Sequence, residues 1–99
     1  MNPPIPGHFQ REMGMTRREF MRTLPSAIAP LTWESTGNRL RIPHPGGSVW
    51  LTLAPSPARR IASLELPVLR VEFTFHGLDA GQRESFMRRF DLAFHRGGG

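Results

Sequence analysis

Four histidines, His8, His44, His76 and His95, are the only side chains from which a nitrogen-based metal site could be built. They stand 36, 32 and 19 residues apart, so none forms the local pair from which such sites are assembled. Acid–base or nucleophilic chemistry could be drawn from His76 with Asp79, or from His44 with Ser48. Neither pair has a third group to orient the base. A histidine at a strand end beside a helix-capping aspartate accounts for the first pair without chemistry. The cysteine count of zero excludes thiolate zinc sites, iron–sulfur clusters, disulfides and thiol nucleophiles. The chain has no lysine, which excludes a Schiff-base lysine and a phosphate-loop lysine. No catalytic residue, metal ligand or cofactor-binding residue is assigned, and the chain is expected not to be an enzyme.

Arginine supplies all 13 fixed cations, against 8 acids, for a net charge of +5. The sequence pI of 11.6 overstates this excess, because no lysine, tyrosine or cysteine titrates below arginine. The charge is spread along the chain: residues 1–41 carry +3, 42–78 carry +1 and 79–99 carry +1. No dense basic stripe of the kind that tracks a nucleic-acid backbone emerges. Arg17, Arg18 and Arg22 can share one side of a helix, and Arg39 and Arg41 one face of a strand. Trp50 falls on the opposite strand parity from its apolar neighbours. It offers either a stacking surface for a base or an anchor for a protein partner. These six residues form the candidate interaction surface. Pro43-His44-Pro45-Gly46-Gly47 reads as a wide hairpin loop; its glycine N–H groups could face an anion, but no helix follows to reinforce them. Arg96-Gly97-Gly98-Gly99 is a single RGG-like unit.

Thr16-Arg17-Arg18-Glu19-Phe20-Met21-Arg22 resembles the core of the twin-arginine export signal: a hydroxyl residue, two arginines, any residue, Phe, an apolar residue and a basic one. That resemblance implies export, with Ala27-Ile28-Ala29 supplying small residues at cleavage-like spacing. The stretch from Thr23 to Ala29 departs from it, carrying Pro25 and Ser26 in place of a continuous apolar region. The same letters read equally as a capped helix. Met15 stands just before them as a second candidate start of translation.

The elements that position these residues follow from hydrophobic period. Residues 1–15, with three prolines and two glycines, read as a disordered lead-in. Thr16 and Glu19 have capping-box spacing ahead of Phe20, Met21 and Leu24, and Pro25 is expected to stop this helix. Residues 31–42 alternate around Thr36-Gly37-Asn38 as a hairpin, and Val49, Leu51 and Leu53 form the next inward set. Residues 54–60 read as a Pro/Ser turn region, and 61–66 as a separate strand or as a lead-in broken at Pro67. In 68–76, Leu69, Val71, Phe73 and Phe75 oppose Arg70, Glu72, Thr74 and His76, the pattern of a half-solvated strand. Asp79 and Gln82 begin the last helix, whose Phe86, Phe90, Ala93 and Phe94 form one stripe. Glu84–Arg88 and Asp91–His95 are spaced for ion pairs, and Gly97 ends the helix.

The fold class expected is α+β: an antiparallel four- to five-stranded meander, a short N-terminal helix, and a C-terminal helix packed on one face. One domain spans 16–96, followed by a flexible glycine tail at 97–99. No run of 18 apolar residues exists to cross a membrane. The expected function is a small cytoplasmic adaptor or assembly domain that binds another protein or itself as a possible homodimer. The alternative is arginine-mediated binding of RNA or DNA.

Overall fold

A computed structural model describes residues 4–97 of the chain. Its elements in order are β1 (His8–Met13), α1 (Arg17–Ile28), β2 (Glu34–Thr36), β3 (Arg39–His44), β4 (Gly47–Ile61), β5 (Leu64–His76) and α2 (Ala80–Gly97). The five strands form one sheet in the order β1-β5-β4-β3-β2, every neighbouring pair antiparallel. Strands β2 to β5 are the expected meander, and β1 adds to its β5 edge.

The core lies on one face of this sheet. Leu40, Ile42, Val49, Leu51, Leu53, Leu69, Val71 and Phe73 are all but completely buried there, with Phe20, Leu24 and Phe90 of the two helices packed over them. All seven phenylalanines join in one aromatic cluster. Phe9 stacks on Phe73 at 4.7 Å, Phe73 meets Phe90 edge-on at 5.2 Å, Phe90 and Phe94 lie 4.4 Å apart, and Phe94 stacks on Phe20 at 4.9 Å. Such pairs add to the area they bury, so the cluster ties both helices to the sheet. Both helix starts are capping boxes: Thr16 with Glu19, and Asp79 with Gln82, whose two bonds measure 2.9 and 2.8 Å.

Four expectations need correction. First, the lead-in contains strand β1, which pairs with β5 from His8↔Thr74 to Met13↔Leu69. Phe9 and Met13 pack against the core, but the inward position between them is Arg11, which breaks the hydrophobic alternation. Its guanidinium makes a two-pronged bond to Asp91 of α2 and lies 5.6 and 5.8 Å from the Phe9 and Phe73 ring centres. Asp91 is thereby engaged across the domain rather than with His95.

Second, α1 runs through Pro25 to Ile28. Proline removes one helical hydrogen bond, but its ring faces solvent here, while Leu24, Ala27 and Ile28 on either side are buried and hold the turn. Third, the β3–β4 connection is a tight turn, with His44 paired to Gly47, rather than a wide loop. Gly47 also lets the end of β5 close in on this turn, because a Cβ there would lie 1.9 Å from the His76 carbonyl oxygen.

Fourth, residues 54–60 are not a turn and Pro67 is not a break: β4 and β5 run on together as a two-stranded ribbon, closed by a turn at Ala62-Ser63. A register shift between Ser56 and Arg59 sets Pro57 and Ala58 against Pro67. Bulges, and edges with no further neighbour, are where strands accept proline. The extreme N-terminal residues 1–3 and glycines 98–99 of the expected tail lie outside the described residues, while Gly97 is the last residue of α2.

Candidate interaction surface

The helices cover one face of the sheet, and strand register defines what the other face presents. Directly paired residues of an antiparallel sheet point to the same side. One row across the open face is therefore Glu34, Arg41, Trp50, Thr74 and His8, and the next is Thr36, Arg39, Thr52, Glu72 and Gln10. Trp50 sits at the middle of the sheet, half-buried, with the Arg39 guanidinium 4.4 Å from its ring centre. A cation over an indole is held by the ring's negative face, and a guanidinium is more weakly hydrated than an ammonium, so the pair is a platform that is readily desolvated. Around it Arg41 faces Glu34 at 3.9 Å and His8 faces Glu72 at 3.9 Å, both solvent-accessible pairs that orient side chains more than they stabilise.

The six candidate residues thus separate into two groups. Trp50, Arg39 and Arg41 come together on the open face. Arg17, Arg18 and Arg22 are exposed on α1, in the helical layer, and Arg17 reaches the Gly37 carbonyl of the β2–β3 turn at 3.5 Å. In the stretch that resembles an export signal, Thr16 caps α1 and Phe20 lies fully inside the core.

Sequence reasoning missed the most exposed apolar surface. Leu53 and Leu69 are the last buried residues at the base of the ribbon, and nothing between them is buried. Among the described residues, three of the four exposed large hydrophobic residues are in this ribbon: Ile61 at 54%, Leu64 at 63% and Leu66 at 41%. The pairings Arg59↔Leu66 and Ile61↔Leu64 put all three on one side, with Arg59. Leu64, Leu66 and Val68 continue the strand parity of Arg70, Glu72 and Thr74, so this apolar stripe extends the open face away from the core. Arg59 pairs back to Glu12 of β1 at 3.6 Å, which agrees with that side. The signal was present in the sequence as three apolar residues on the polar parity of a strand, hidden by the reading of Pro67 as a boundary.

The residue pairs considered for catalysis do not meet. Asp79 caps α2 through the Gln82 N–H, and His44 Nδ1 accepts from the Gly46 N–H at 2.9 Å while Ser48 pairs with Pro43. His44, Ser85 and Arg89 line a cleft of about 100 Å³ with Ile28 and Phe86, well below the roughly 300 Å³ of a usual ligand pocket. Among the described residues no three of His, Asp or Glu converge as metal ligands, and no helix is long and apolar enough to cross a membrane.

The fold is a five-stranded antiparallel α+β domain with one covered and one open sheet face. No protein-family model, curated protein or solved structure matches the chain.

Proposed function

We propose that the chain is a non-enzymatic interaction domain that uses its open sheet face, together with the ribbon extending it, to hold another protein chain. The observation that carries this reading is the placement of Ile61, Leu64 and Leu66 on one exposed side of a ribbon beyond the core. Apolar side chains so exposed gain nothing for the fold, whereas contiguous apolar surface beside an aromatic and an arginine is the composition of a binding hot spot. A cytoplasmic setting belongs to the same proposal.

The nucleic-acid alternative draws less support. Its arginines lie in different layers, Arg17, Arg18 and Arg22 on α1 and Arg39, Arg41, Arg59 and Arg70 on the open face and its ribbon. Arg59 and Arg60 of the ribbon are matched by Glu12 at 3.6 Å and Glu65 at 4.0 Å, which leaves little net charge on the ribbon itself for phosphates.

The test compares the intact chain with Leu64→Asp and Trp50→Ala, each checked for an unchanged circular dichroism spectrum. Chains bound specifically to the intact protein, its own copies included, are expected to be lost from both variants. Retention by both variants would overturn the reading. Low-salt titration with mixed DNA and RNA gives the competing outcome: tight binding that falls steeply with salt and weakens in Arg17→Ala with Arg18→Ala.

A further inference from the structure

We infer that the cleft between the two helices and the β3–β4 turn binds a small carboxylate that carries a short apolar tail. The cleft lies on the covered side of the sheet and is independent of the open face. Its volume is about 100 Å³. A water takes up about 30 Å³ in the liquid, so the cleft accepts a group of a few heavy atoms rather than a cofactor.

Strand β3 and both helices build this cleft. His44 continues the inward parity of Leu40 and Ile42, so it ends their buried row with an imidazole at the edge of the core. Ser85 and Arg89 occupy i and i+4 positions of α2 and share one side of that helix. Ile28 at the end of α1, Leu31 just beyond it and Phe86 of α2 supply an apolar wall. Gly46 lets the turn lie against α2: a Cβ there would be 2.6 Å from Gln82 Oε1, the oxygen that accepts the Asp79 N–H.

The polar groups on the wall are donors. The Gly46 N–H donates to His44 Nδ1 at 2.9 Å, so in the neutral ring the proton sits on Nε2. Arg89 donates to the Ala29 carbonyl, but a guanidinium is a fork of N–H groups that one carbonyl does not exhaust. Arg89 has no ion pair among the described residues. The Ser85 hydroxyl adds a further donor, and no Asp or Glu lines the cleft. This set favours an anion and gives a cation no carboxylate to bind. The Arg89 fork matches the two oxygens of a planar carboxylate. Ile28, Leu31 and Phe86 cover an alkyl tail, which phosphate and sulfate lack.

Titration of the intact chain with sodium butyrate, followed by nuclear magnetic resonance, tests this. The His44 ring signals and the Ser85 and Arg89 backbone N–H signals are expected to shift along one saturating curve, while the Trp50 indole and Leu64 methyl signals stay in place. Acetate is expected to bind about tenfold more weakly, since each methylene that is buried strengthens binding by up to roughly fourfold. Inorganic phosphate and n-butanol each carry half of the required chemistry, and both are expected to bind more weakly than butyrate. Arg89→Gln is expected to weaken butyrate by about tenfold or more, with an unchanged circular dichroism spectrum. Because Arg89 also holds the Ala29 carbonyl, Leu31→Ala provides a second variant: it is expected to bring butyrate down toward acetate while acetate itself is unchanged. The absence of a saturating shift, or a shift centred on Trp50 and Leu64, would overturn the inference. So would butyrate no tighter than acetate, phosphate tighter than butyrate, or full butyrate affinity in Arg89→Gln.

Discussion

Arg11 shows how one side chain can join elements that sequence distance separates. It occupies an inward position of β1, lies over Phe9 and Phe73, and binds Asp91 80 residues later through both of its terminal nitrogens. The pair is only part-buried, so its electrostatic share is modest despite the two-pronged geometry. Arg11→Ala is expected to cost about 1 kcal/mol and lower the melting temperature by roughly 4–8 °C, measured by thermal circular dichroism. Glu19 provides a pH-dependent counterpart at the start of α1. The Thr16 backbone N–H donates to its carboxylate at 2.9 Å and holds it below its ordinary value of 4.5, with the Thr16 hydroxyl contact and then the nearby Arg22 acting in the same direction. A depressed carboxylate contributes stability that is complete above the ordinary value and is lost as pH falls through the folded one. The stability difference between the intact chain and Glu19→Gln is therefore expected to be constant near neutrality and to shrink on acidification below about pH 5, read from urea midpoints. Thr16 and Glu19 were legible in the sequence because a capping box is local. Arg11 was not, because its partner lies in another element and its charge masked the alternation around it.

At the scale of elements, proline divides what the sequence reveals from what it hides. Pro25, Pro55, Pro57 and Pro67 each read locally as an end, yet each lies inside a continuous element. In α1 the reason is tertiary: Leu24, Ala27 and Ile28 bury against the core and hold a turn that proline disfavours. Pro25→Ala is expected to restore the missing helical bond and raise stability by about 1–3 kcal/mol, measured by denaturant unfolding, since the position is exposed and has no packing to lose. In the ribbon the reason is topological, because beyond Leu53 and Leu69 neither strand has a further neighbour to bond. Where hydrophobic period alone decided, as in the inward sets of β3, β4 and the C-terminal half of β5 and in the phenylalanine stripe of α2, sequence and structure agree. Trp50, Arg39 and Arg41 could be placed together for the same reason, since strand parity is a local property.

For the whole molecule, one sheet separates two jobs. Its inner face and the helices contain the seven phenylalanines and most of the buried core; its outer face carries a tryptophan–arginine platform, interleaved charges and an apolar ribbon that the core does not need. This division is the basis for assigning the outer face to binding. The most direct measurement is a nuclear magnetic resonance titration of the intact chain with a protein chain that it captures specifically, its own copies included. It follows the Trp50 indole N–H together with the methyl groups of Ile61, Leu64 and Leu66. These signals are expected to shift along one common binding curve while those of Leu24 and Ala27 in α1 stay in place. Stationary ribbon methyls and indole, or shifts confined to α1, would contradict the account.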